Sequence, residues 1–200
     1  MQITRFKLLL FLAILFGISA ILTTYMASYY IHQTFSFPPV VKDLLWEKLP
    51  YLPILWMSEI FLVTSAIFLL FWALKKDKFM IPYVIIMCSI FHTLRAGLII
   101  LTPLGFPYEY NGFMHYGQES VFMYGAFPSG HLSVPYIIFL VTKSKIALAL
   151  TFLVGLTLLI SQSHYSIDLI GTLLLAYPTF KLSEKYIKKY FKDEKSKNDS

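Results

Sequence analysis

The stretch "LLLFLAILFGISAILTTYMA", positions 8–27, decides the fold. It runs for twenty residues without a charge. At about 1.5 Å per residue, a helix of that length covers the roughly 30 Å hydrocarbon core of a bilayer. Arg5 and Lys7 stand ahead of it, like the charged start of a signal peptide. The apolar region of a signal peptide is shorter, at about 7–15 residues. The run, continuing to position 29, is therefore read as a retained span. Outward from it, five further apolar segments follow at 53–74, 79–101, 128–142, 146–160 and 166–180. The last three are shorter than the ~20 residues of a full crossing. Their ends are expected to run into the neighbouring polar motifs.

Composition agrees. Of 200 residues, 57% are hydrophobic and only 14% charged, and mean hydropathy is +0.65. A soluble domain of this length cannot hide so much apolar surface, whereas a bilayer solvates it. The single cysteine, Cys88, excludes a disulfide framework and a cysteine metal site. The net charge of +6 comes mainly from lysines in loops and in the C-terminal tail. In this setting they set topology and meet anionic headgroups; they do not indicate a nucleic-acid partner. Arg5/Lys7, Lys75/Lys76/Lys78, Lys143/Lys145 and the lysines from Lys181 onward all fall on one side of a six-span arrangement, opposite Lys42 and Lys48. The positive-inside rule then places both termini in the cytoplasm. The expected fold is an all-α, multi-pass membrane protein with six transmembrane helices in one bundle. It forms one catalytic domain over 1–187, with a solvated lysine-rich tail over 188–200. A short interfacial helix is expected at 41–49, and a long outer loop at 102–127.

Polar residues inside spans are costly in a membrane and mark functional sites. Arg95 lies six residues before the end of the third segment, and its forked donor suits a phosphate. Glu59, in the outer half of the second segment, either pairs with Arg95 or takes a catalytic part. His92, one turn before Arg95, is read as a helix-packing histidine. His32 and His115 lie in loops and receive no role.

Two motifs fall on the outer side. In "GAFPSGHLSVP", 125–135, Pro128 suits the first turn of a helix. Ser129 and Gly130 leave amides free to face an anion, and His131 stands beside it. In "SQSHYSIDLIG", 161–171, His164 and Asp168 are four apart and share a helix face. A carboxylate accepting from imidazole Nδ1–H leaves Nε2 free as a nucleophile. Two histidines, an orienting carboxylate, a helix N-terminus and an arginine make a phosphoryl-transfer constellation that needs no metal or other cofactor. A two-histidine, one-aspartate metal site is disfavoured, since Arg95 nearby would oppose a cation.

"PSGH" at 128–131 followed by "HYSID" at 164–168 resembles the type 2 phosphatidic acid phosphatase superfamily, six-helix membrane proteins that process lipid phosphates without metal. The resemblance implies that His164 forms a phosphohistidine, Asp168 orients it, His131 protonates the leaving group, and Ser129 and Gly130 contact the phosphate. The chain departs from the phosphatase branch in two places. The Lys-x6-Arg-Pro pattern is absent, and Thr157–Leu158 stands where that branch has Ser-Arg. In "LRAGLIILTPLGFP", 94–107, Arg95, Thr102 and Leu104 look like the sphingomyelin synthase branch, as does His164-Tyr165-x-x-Asp168, with Tyr165 an accessory candidate. The stretch around "GAFPS" is also similar to fungal inositol phosphorylceramide synthases. The resemblance covers about 90–175 and implies an enzyme of the cell membrane, with its site on the non-cytoplasmic face. Its substrate would be a membrane phospholipid, with a lipid alcohol as acceptor. A lipid phosphate phosphatase is the alternative, and a non-catalytic lipid-binding or transport protein the other class.

Overall fold

A computed structural model of the chain describes residues 2–35, 40–105 and 127–191. Within them the chain is helical: α1 (Gln2–Thr34), α2 (Leu55–Lys76), α3 (Met80–Leu101), α4 (Gly130–Thr142), α5 (Lys145–Ile160) and α6 (Ser166–Tyr186). Helices α1, α2 and α3 are long and apolar enough to cross a membrane. Helices α4 and α5 are apolar but shorter, at 13 and 16 residues.

The opening run forms most of α1, and its small residues explain where it packs. Ala13, Ala20, Ala27 and Ile31 are buried, with Gly17 and Thr24 half-buried between them. Their spacing of four and three residues draws one seam down the helix. That seam lies along α3, where a Cβ at Gly17 would stand 3.9 Å from Ile85 and Ser89. Small residues let two helices approach closely when lipid supplies no hydrophobic drive between them. Around the rest of α1, Leu8, Phe11, Leu15, Ile18 and Leu22 are exposed. Such a surface suits lipid rather than water.

Helix α3 is central. Its Tyr83, Met87 and Phe91 pack with Ile137 and Ile138 of α4 and with Ala176 and Phe180 of α6. A second cluster joins Leu55 of α2, Leu132 of α4, Val154 and Leu158 of α5 and Leu169 of α6. These two cores hold the ends of α4, α5 and α6 in register.

The structure changes three sequence expectations. Helices α4 and α5 do not lengthen into the polar motifs. Ser129 caps the start of α4, and Lys143, with φ 53°, ends it in a left-handed residue whose N–H donates to Phe139 O. The Ser144 hydroxyl then caps α5. The extra length falls on α1 and on the C-terminal end of α6 instead. Residues 41–49 form turns rather than an interfacial helix, because the Asp43 carboxylate accepts the Leu45 N–H and starts an Asx turn. Residues 188–191 do not fray: they form a 3₁₀ turn that buries Phe191 against Tyr83. Residues 192–200 lie outside the described residues, as does most of the expected outer loop, 106–126.

The two ends of the bundle differ in character. At one end Arg5 sits over the Phe79 ring, Lys78 over Phe6 and Lys143 over Phe180, while Arg5 donates to Tyr190 O. At the other end the C-terminal half of α3 meets the N-termini of α4 and α6 through Arg95, Pro128, Ser129 and Asp168. The same end carries the link from Leu52 N to Ile160 O, which joins the segment before α2 to the end of α5.

Candidate active site

His164 is delivered by the turn that closes α5. The Ser163 N–H donates to Leu158 O and the Gln162 N–H to Leu159 O, the paired bonds of a Schellman ending. The left-handed residue of that ending is Gln162, at φ 50°, where glycine is the usual choice. The hydroxyls of Ser161 and Ser163 lie 3.0 Å apart, and both donate towards Leu158 O. The "SQS" run therefore folds into a tight polar turn, with His164 on its far side.

Asp168 is the third residue of α6. Its Oδ2 accepts the Tyr165 N–H at 2.9 Å, closing the first turn of the helix. The same oxygen lies 3.1 Å from His164 Nδ1. A carboxylate can only accept, so the imidazole proton sits on Nδ1 and Nε2 carries the lone pair. His164 is 2% exposed and Asp168 0%, and Asp168 Oδ1 has no hydrogen-bond partner among the described residues.

The PSGH segment is tied to that pair. The Ser129 N–H donates to Asp168 O at 3.2 Å. The Thr172 hydroxyl shares its proton between Ser129 O and Asp168 O, at 2.9 and 2.8 Å. These bonds lock the N-termini of α4 and α6 together and bring the two histidine rings to 6.0 Å between centroids. Behind the lock, Phe127 lies over Gly171, where a Cβ would approach the ring to 2.4 Å.

Two sequence readings of this segment are corrected. Pro128 is not in the first helical turn: α4 begins at Gly130, with Ser129 as its cap. The Ser129 amide does not face an anion, because Asp168 O takes it. Its hydroxyl oxygen accepts from Leu132 N, a bond that does not use the hydroxyl's own proton. The N–H groups of Gly130 and His131 stand at the first two helical positions, where a helix supplies no acceptor of its own and an anion is suited to meet them.

Arg95 reaches this terminus from α3: its Nε–H donates to Pro128 O at 2.6 Å. One arm of the guanidinium thus holds the turn in place. His92 packs against the same terminus, as a helix-packing histidine would. A Cβ on Gly130 would lie 3.1 Å from His92 Cε1 and 3.7 Å from Arg95 Cζ. Gly130 is therefore what lets His92 and Arg95 press against the start of α4.

The remaining candidates fall as follows. Glu59 is buried in α2, at 8% exposure. Tyr165 stacks on Trp46, and its hydroxyl donates to Gly105 O. Burial, then the hydrogen bond from Val41 in opposition, then the Asp168 and Asp43 carboxylates act on its phenol; the balance raises it above the ordinary range, so it stays a neutral donor. Thr102 ends α3, with its hydroxyl donating to Leu98 O. Leu158 is 0% exposed in the second apolar cluster, a place for packing rather than for a cation. His32, expected in a loop, lies in the last turn of α1, and His115 lies outside the described residues.

Sequence reasoning missed Thr172, Gly171 and Asp43. Thr172 stands four residues after Asp168 on the same helix face, a signal that was present but weak. Gly171 and Asp43 matter only through residues far away in the chain. Among the described residues, no group of three or more histidine, cysteine, aspartate or glutamate side chains is placed to hold a metal ion. Comparison of the chain with protein-family models, with curated proteins and with solved structures finds no match.

Proposed function

We propose that the protein is a membrane phosphotransferase that moves a phospho-headgroup between lipids through a phosphohistidine on His164. The observation that carries this reading is the buried His164–Asp168 pair, at 3.1 Å, with the His131 ring 6.0 Å away. Rings at that distance can address opposite sides of one phosphorus. In the first step His164 Nε2 attacks the phosphorus of a phospholipid. The P–O bond to the lipid alcohol breaks, and protonated His131 gives its proton to the leaving oxygen. In the second step an acceptor lipid hydroxyl attacks the phosphohistidine and passes its proton to His131. Nε2 is thereby released. Asp168 keeps the imidazole in the correct tautomer and stabilises the positive charge that develops on it. The amides of Gly130 and His131, with Arg95, stabilise charge on the phosphoryl oxygens.

The resemblance to the superfamily supports the same reading, and a six-span protein with its site at the non-cytoplasmic face and both termini in the cytoplasm goes with it. The basic residues gathered at the opposite end of the bundle fit that orientation. Burial of Leu158 in an apolar cluster favours a phosphodiester donor, which carries less charge than a phosphomonoester. A lipid phosphate phosphatase uses the same groups, with water as acceptor.

The test gives purified protein phospholipids labelled in the headgroup, with and without a lipid alcohol. Labelled product that depends on the alcohol supports transfer. Free phosphate released from phosphatidic acid supports the phosphatase. If wild type and His164→Ala behave alike in every such assay, the protein is a binder or transporter and the reading is wrong.

A further inference from the structure

Helix α6 begins at Ser166, and its preceding residue, Tyr165, has no side-chain oxygen that caps it. Asp168 Oδ2 takes the Tyr165 N–H, which leaves the Ser166 N–H to find an acceptor elsewhere. Here the cap comes from more than a hundred residues away: Asp43 Oδ2 accepts the Ser166 N–H. The other carboxylate oxygen, Oδ1, accepts the Leu45 N–H at 2.9 Å. Asp43 is only 7% exposed, so both oxygens are spent on backbone donors, one in its own loop and one on α6. Two further contacts fasten the same loop to the same turn. Trp46 stacks on the Tyr165 ring at 4.8 Å, and the Val41 N–H donates to the Tyr165 hydroxyl at 3.3 Å. Tyr165 and Ser166 directly follow His164, and the Tyr165 N–H shares Asp168 Oδ2 with the imidazole. The loop therefore grips the peptide next to the reactive histidine.

We infer that Asp43 is a positioning residue for the His164–Asp168 pair: by capping α6 from the first loop, it holds the turn on which His164 stands. Its negative charge also suits the positive end of the helix dipole. The part Asp43 plays in turnover rests on the phosphotransfer reading, but its hold on the geometry does not. Asparagine at this position keeps one acceptor oxygen and can satisfy the loop or the helix but not both. Alanine satisfies neither.

The experiment compares full-length wild type, Asp43→Ala and Asp43→Asn in lipid nanodiscs, with two readouts. One is ¹⁵N NMR of the His164 ring, which reports the tautomer without any substrate. The other is turnover of headgroup-labelled long-chain phosphatidylcholine and phosphatidylglycerol with a short-chain diacylglycerol as acceptor, so that labelled product and donor differ in their chains, normalised to folded protein. In Asp43→Ala the His164 signal is expected to move from the pure Nδ1–H form to a mixture of tautomers. Its kcat is expected to fall about 10–100-fold, the scale of a small misplacement of a reacting group. KM stays within about twofold, since no binding contact is removed. Asp43→Asn falls between Asp43→Ala and wild type, and it carries the test if Asp43→Ala does not fold. An unchanged tautomer in the folded variants overturns the inference, as does a loss of turnover that only tracks the loss of folded protein. If wild type turns over neither lipid, the tautomer decides alone: a shift upholds the role of Asp43 while the phosphotransfer reading loses its support.

Discussion

The two ends of the bundle both collect polar residues, yet they hold them by different physics. At the basic end, lysines and Arg5 lie over aromatic rings at 4.8–6.0 Å. Lys181 also pairs with Glu184 while remaining more than half exposed. Such contacts are individually weak and replace one another. At the histidine end, Asp168, Ser129 and Thr172 are buried and joined by directed hydrogen bonds, several of them shared by one atom. A buried polar network of this kind loses heavily when one member goes, because its partners stay behind without water. One end tolerates change, and the other should not.

Substitutions at the two ends can break or sharpen that contrast. Asp168→Asn should have the largest effect. The side chain keeps its shape but loses the charge that orients His164, and turnover should fall about 10²–10⁴-fold. A variant within tenfold of wild type would show that Asp168 serves the helix cap alone.

Gly171→Ala comes next. The added methyl must displace the Phe127 ring, which stands just before Pro128 and Ser129. Overpacking of this kind costs about 1–3 kcal/mol, to be read as a lower Tm together with reduced turnover. Gly97, with open space around the position of its Cβ, is the control. Gly97→Ala should be neutral or stabilising by up to about 1 kcal/mol. Equal losses in the two variants would mean that the Phe127 contact is not what limits the site.

Gln162→Gly tests the turn that delivers His164. Gln162 has φ 50°, a region that an L-residue occupies at a cost and glycine does not. Thermal unfolding should show a gain of up to about 1 kcal/mol, less the extra chain entropy of glycine. A clear loss would show that the Gln162 side chain itself holds the turn.

The smallest effect belongs to the basic end. Lys181→Ala should change stability by no more than about 0.5 kcal/mol and leave turnover unaltered. A loss as large as that of Gly171→Ala would erase the distinction between the two ends.

Much of the site was legible because it is local in the chain. His164 and Asp168 are four apart, close enough in sequence to be read as partners, but the expected shared helix face is not what joins them: α6 starts only at Ser166, and Asp168 Oδ2 reaches back to Tyr165 N–H and His164 Nδ1. Arg95 was legible from the cost of placing a guanidinium in an apolar run. His92 reads as a packing histidine in the sequence and does pack, but its neighbour is Gly130, thirty-eight residues on, and no local pattern predicts that contact. Pro128 and Ser129 were misjudged for a related reason. Their amide and carbonyl groups are taken by Asp168 and Arg95 from other helices. The turns at 41–49 were read as a helix because their apolar spacing is compatible with one, and the Asx turn at Asp43 overrides it.

By itself the sequence determined that this is a chain of apolar helices with three long enough to cross a membrane, since length and hydropathy are properties of continuous segments. It also singled out His164 and Asp168 as partners, although the two do not share a helix face: His164 stands on the turn before α6 and meets the carboxylate across the extended Tyr165. Only the tertiary structure decided which backbone groups remain open to a ligand, that Gly130 admits His92 and Arg95, and that Asp43 caps α6. Each of those depends on hydrogen bonds and close approaches between residues far apart in sequence, and such contacts leave no period for the chain to display.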